Sequence, residues 1–189
     1  MATPDADAAE VLRFWFRGDP RDKRWFEKDP GFDLELRRRF LGLYEDAAAG
    51  GRAAWLDAAA DCLALIVLLD QFPRNMFRGT ARAFATDPLA LRAARHALER
   101  GYERTMLPEE KLFVYLPFLH SESLADQERA CELCRPLERF EQTHDAHRYA
   151  LAHRDIIARF GRFPHRNAIL GRTSTPEEIE FLKGPGSSF

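Results

Sequence analysis

The sequence predicts an all-α, single-domain protein, an antiparallel helical array of about seven or eight helices. Valine and isoleucine are scarce, while alanine, leucine, arginine and glutamate abound, a composition that favours helix over strand. No segment sustains a period-two alternation of apolar and polar residues, whereas several repeat apolar residues at helical spacing. The length, 189 residues, suits one domain with a sizeable core and no need of disulfide staples.

Thr3 and Pro4 read as the cap and first residue of a helix that turns Val11, Leu12, Trp15 and Phe16 toward a core. Gly18, Pro20 and the charged residues to Lys23 make a loop, with Trp25 and Phe26 as its anchors. Asp33 reads as the cap of a second helix with a stripe of Leu36, Phe40, Leu43 and Tyr44, ended by Gly50 and Gly51. A third helix is expected from Ala58 to Gln71. Its stretch from Leu63 to Leu69 is apolar nearly all round, which places it among other helices at the centre. Asp87 and Pro88 open a fourth helix, stopped by Gly101. Pro108 opens a fifth, which Pro117 is expected to interrupt near its end. A sixth covers Ser123 to Cys134, with Pro136 as a break or restart, and a seventh runs from Asp145 to Phe160 before Gly161. Thr175, Pro176 and Glu178 form a capping box that opens a short last helix. Residues 1–183 are read as the helical domain and 184–189 as a disordered tail.

Formal net charge is −2, which gives no global basic field for nucleic acid or an acidic membrane surface. The N-terminus carries acids and no basic segment of a signal peptide, and the longest strongly apolar run is too short to span a bilayer. The expected setting is cytoplasmic. Cys62 sits in an apolar run and reads as core. Cys131 and Cys134 form a C-x-x-C, but no second pair follows to complete a structural zinc site and no βαβ context surrounds it.

One phrase is written twice. Asp70-Gln71-Phe72-Pro73-Arg74-Asn75 closes one apolar run, and Arg162-Phe163-Pro164-His165-Arg166-Asn167 closes another. Proline disfavours the α conformation at the residue before it, so Phe72 and Phe163 are both expected to be extended and both stretches to stop a helix. Arg74 and Arg166 would then emerge beside rigid elements, with Asn75 and Asn167 in turn geometry. Arg78 and Arg172 follow in similar polar loops, before helices that open at Pro88 and Pro176.

The strings "VLRFWF", "LALIVLLDQFPRNMFRGTARAFATDPLAL", "YLPFLHSESLADQE" and "HRDIIARFGRFPHRNAILGRTSTPEEIEFL" closely resemble the bacterial family catalogued as domain of unknown function 924. The resemblance covers nearly the whole chain. It implies an all-helical fold similar to tetratricopeptide-repeat (TPR-like) superhelices without regular repeats, and no established activity. The family's polar motif residues fall on Asp70, Gln71, Arg74, Asn75, Arg78, His120, Ser121, Glu122, Asp126, Gln127, His153, Arg162, His165, Arg166 and Asn167. Ser123 stands where the family usually has a second acid.

Two readings of these residues compete. In one, Arg74 and Arg166, with Arg78 or Arg162, clamp an anion, because guanidinium matches carboxylate and phosphate in two parallel hydrogen bonds. In the other they are paired internally with Asp70, Glu122 or Asp155 and only lock helices together. His120 beside Glu122, or His165, supplies groups for acid–base work, although Ser121, Glu122 and Ser123 would equally serve as a helix start. No metal-ligand spacing, Gly-rich phosphate loop or nucleophile elbow is present, and no cofactor is expected. Phe14, Trp15, Phe16, Trp25 and Phe26 are read as core rather than as a ligand pocket.

The leading expectation is a site for an anionic small molecule. Its ligand-binding candidates are Asp70, Gln71, Arg74, Asn75, Arg78, Gln127, His153, Arg162, Arg166 and Asn167, and its catalytic candidates are His120, Glu122 and His165. The alternative is a protein- or peptide-interaction module in which the polar residues are scaffold. Neither nucleic acid nor a membrane is expected as a partner.

Overall fold

The computed structural model describes residues 5–17, 25 and 27–188. Among them are eight α-helices, joined by short loops and single 3₁₀ turns, and no strand. The expectations for Thr3, Pro4, Phe26 and the loop from Gly18 to Lys23 lie outside the described residues.

Helix α1, Ala6–Trp15, starts at Asp5, whose carboxylate accepts from the amides of Asp7 and Ala8. Helix α2, Pro30–Ala48, is capped by Asp29 rather than Asp33. Proline occupies its first helical position, and Asp33 falls inside the first turn. Then come α3, Ala59–Met76, and α4, Asp87–Glu99. They are followed by α5, Pro108–Leu119, and α6, Leu124–Cys134. Helix α7, Ala146–Phe160, ends at Gly161, whose φ of 68° is the left-handed conformation that favours glycine. Helix α8, Pro176–Phe181, is opened by the Thr175–Glu178 capping box.

Helix α3 is the hub, packing against α1, α2, α4 and α5, while α6 joins α5 to α7. The main core gathers on it. The Trp15 ring centroid lies 5.6 Å from both Phe72, tilted, and Phe113, edge to face, and Phe40 lies 5.1 Å from Phe72. Trp25 closes this cluster by donating its indole N–H to the Trp15 carbonyl at 2.8 Å. A second, smaller apolar cluster of Ile156, Ile157 and Phe163, with Phe160 and Phe181 against it, lies under α7 and α8. No described helix is long and apolar enough to cross a membrane.

The two proline phrases do not behave alike. Phe163 is extended (φ −88°, ψ 106°) and Pro164–Arg166 is a single 3₁₀ turn, so the second copy is outside any α-helix, as the sequence predicts, and follows the stop made by Gly161. The first is not. Helix α3 runs through Pro73 to Met76, and Phe72 is helical. Pro73 has no N–H to give to the Leu69 carbonyl one turn back. The hydroxyl of Thr86 gives one instead, at 2.6 Å. With its orphaned acceptor satisfied from the next helix, α3 carries Arg74 and Asn75 on its own last turn. Pro117 likewise lies inside α5 and does not interrupt it. Carbonyls left without an intrahelical partner at that helix end are taken by the Gln127 amide, which donates to Leu119 and Ser121 oxygens at 2.7 Å each.

Candidate functional site

The last turn of α3, the first of α4, the end of α5 and the Pro164–Arg166 turn meet at one cluster of charged side chains. Asp70 is its base, with a side chain that is 0 % exposed. One carboxylate oxygen accepts from His120 Nδ1 at 2.8 Å, and the other from the Gln71 amide. Arg74 Nη1 lies 3.3 Å from the first oxygen and also donates to the Asp70 carbonyl. Burial opposes ionisation of Asp70, but Arg74 and His120 outweigh it and hold the pKa at about 2. An ionised Asp70 can only accept, so His120 carries its proton on Nδ1.

Asp87 is the second acid. It sits at the start of α4, where the helix dipole favours negative charge. Arg74 grips it with both terminal nitrogens, at 2.9 and 3.1 Å. Arg166 reaches the same carboxylate with one nitrogen at 3.4 Å. Its guanidinium contacts both Phe84, 4.7 Å from the ring centroid, and Phe163, 4.5 Å away, and so bridges the main core to the smaller cluster. The Arg166 side chain is 8 % exposed, yet its Nε has no hydrogen-bond partner among the described residues. Burial, followed by repulsion from Arg74, lowers its pKa to about 10, so it stays cationic at neutral pH.

The second carboxylate expected beside His120 is used elsewhere. Glu122 accepts from Arg172 in two bonds of 2.7 and 3.0 Å and from the Phe163 amide at 2.8 Å. These bonds pin the Phe163–Pro164 turn and thereby the position of Arg166. Burial works against the Glu122 charge, but Arg172 outweighs it and lowers its pKa. His153 and His165 flank the Phe163 ring, at 5.7 and 5.6 Å between centroids. Burial, aided by surrounding cations, drives their pKa values down to about 3 and about 4, so both are neutral.

Of the residues singled out from sequence, the fold thus brings together Asp70, Gln71, Arg74, His120 and Arg166, with His153 and His165 behind them. Gln127 supports this group through the end of α5. Four others serve nearby joints. Arg78 makes two 2.9 Å bonds to Asp33, and Asn75 accepts from Arg78 at 2.8 Å. Arg162 grips the buried Glu178, which Asn167 also contacts. Sequence reasoning passed over Asp87, Thr86 and Phe84. The available signal was topological: a short connection between antiparallel helices returns the start of α4 to the end of α3, where Arg74 needs an acid. An open depression of about 250 Å³ lies elsewhere, lined by residues that include Glu10, Arg39, Asp46 and Arg52. Its charges are paired with one another, as in Arg39–Glu10 and Arg52–Asp46.

The fold and the cluster define a helical protein built around a buried Asp–His pair and two arginines that share one acid. The chain belongs to the family described as bacterial protein of unknown function (DUF924), whose model matches residues 11–186. It is also similar to a solved structure, a protein of unknown function, ATU0120, from Agrobacterium tumefaciens. The two share 46 % identity with a TM-score of 0.87, over 95 % of this chain and 98 % of that one. No curated protein matches.

Proposed function

We propose that this protein binds the carboxylate or phosphate of a small molecule at Arg166, beside Arg74. The observation that carries the reading is the state of Arg166. It is a buried cation whose acid partner is already gripped in two-point fashion by Arg74, and whose own Nε has no bond among the described residues. A buried charge held this loosely costs folding free energy, which an arriving anion would recover. The rings of Phe84 and Phe163 pack against the guanidinium and restrict its movement. The TPR-like, peptide-binding alternative has less support. The large exposed apolar side chains Leu34, Leu107, Leu124, Tyr149, Leu170 and Ile179 are spread over different elements. The three unpaired, buried cysteines accord with a reducing, cytoplasmic setting.

The experiment is a thermal-shift titration with inorganic phosphate, citrate and acetate, since a ligand of the native state raises the melting temperature. Stabilisation of the wild type that is lost in Arg166→Met supports the reading. The same response in both proteins, or none in either, refutes it.

A further inference from the structure

The Asp70–His120 pair is arranged for more than holding helices together. Asp70 fixes the imidazole with Nδ1–H pointing inward, so the lone pair of the neutral ring lies on Nε2. No described residue bonds to that Nε2, and it is not among the buried unpaired atoms, so it reaches solvent through a side chain that is 15 % exposed. The ring stands at the C-terminus of α5, where Gln127 rather than His120 occupies the helix carbonyls. The charges that act on it are those of the arginine cluster: Arg74 and Asp70 on α3 and Asp87 on α4, with His153 and His165 beyond. Asp70 and Asp87 also act on Arg166, so the imidazole and the guanidinium share one electrostatic environment.

We propose that His120, oriented by Asp70, is a general base whose Nε2 removes a proton from a small molecule bearing a carboxylate or phosphate held at Arg166. The inference rests on the anion reading above. In the step, the O–H or C–H bonding pair stays on the substrate and the proton forms a new N–H bond at Nε2. The resulting imidazolium is balanced by the Asp70 carboxylate, which keeps its charge. The developing negative charge on the substrate falls beside Arg74 and Arg166. His120 is the catalytic residue, and Asp70 is a positioning residue that sets tautomer and basicity.

The test is site-resolved carbethoxylation of histidines by diethylpyrocarbonate, followed by mass spectrometry, with NMR of the imidazole nitrogens on the same wild-type protein. The reagent attacks an unprotonated, accessible nitrogen. The expected result is the Nδ1–H tautomer by NMR, modification of His120 at neutral pH, protection by inorganic phosphate in the wild type, and no protection in Arg166→Met. Exposed His144 reports reagent access and should be indifferent to phosphate. Asp70→Asn should slow His120 modification by about tenfold or more. An unreactive His120, or an Nε2–H tautomer in the wild type, overturns the base assignment even where phosphate still stabilises the protein. Absence of any phosphate-dependent stabilisation overturns the anion reading, and with it the substrate assignment. Modification of His120 that phosphate leaves unchanged while it still stabilises the protein overturns the link between the two groups.

Discussion

The Thr86 hydroxyl and the Leu69 carbonyl are joined by a 2.6 Å hydrogen bond that crosses from the start of α4 to the body of α3. It replaces the bond that Pro73 cannot make, lets α3 continue for one more turn, and sets Asp87 opposite Arg74. Thr86→Val keeps the shape and removes the donor from a buried carbonyl. Chemical denaturation should show a loss of about 1–3 kcal/mol, with Thr86→Ser close to the wild type.

The two arginines should respond unequally to removal. Arg74 answers two acids, and Arg74→Met leaves both Asp70 and Asp87 short of a partner. A loss of about 2–4 kcal/mol is expected, below the cost of a fully dry pair because Arg74 and Asp87 keep some solvent contact. Arg166 shares the one acid it bonds with Arg74 and leaves Nε without a partner among the described residues, so Arg166→Met should cost clearly less than Arg74→Met in the absence of ligand. Denaturant midpoints of the two variants check both statements. Equal, large losses would make Arg166 an ordinary scaffold residue.

Stability should fall on mild acidification, before carboxylates titrate. In the unfolded chain His153 and His165 take up protons below about pH 6.5, but in the fold they do so only near 3 and 4. Between these limits the unfolded state binds more protons. Stability is therefore full above the unfolded value and declines as pH drops, by up to about 1.4 kcal/mol per pH unit for each histidine. Asp70 and Glu178, each held at about 2, add a further loss only below about pH 4. Denaturant titrations across this range should show His153→Gln with a shallower slope between pH 6 and 4.

The C-x-x-C pair should be chemically silent. Cys131 and Cys134 are both buried, and burial pushes the Cys134 thiol up to about 12. A thiol reagent such as dithionitrobenzoate should titrate Cys131 and Cys134 only after denaturant is added. Rapid reaction in the native protein would contradict their packing.

Most helix starts were legible in the sequence because each carries its own chemistry: proline in the first turn of α4 and α5, Ser123 before α6, and the Thr175–Glu178 box for α8, whereas α2 starts one turn before Asp33, the cap that the sequence suggests. The passage of α3 through Pro73 was not, since the donor that permits it, Thr86, lies on another helix and is found only once the two are packed. The site was half legible for the same reason. Arg74, His120 and Arg166 stand out by type and motif. The partner of His120 could not be read from sequence proximity: Glu122, two residues away, is drawn off by Arg172, and Asp70, fifty positions upstream, takes its place.

The most direct test of the anion site is the Nε–H resonance of Arg166, followed by ¹H–¹⁵N NMR while inorganic phosphate is titrated in. A saturable shift of that signal, with the carboxylate-locked Arg78 and Arg162 unmoved as internal controls, is the predicted result. An Arg166 Nε–H that stays fixed at saturating phosphate would contradict it and leave the cluster as a structural clasp.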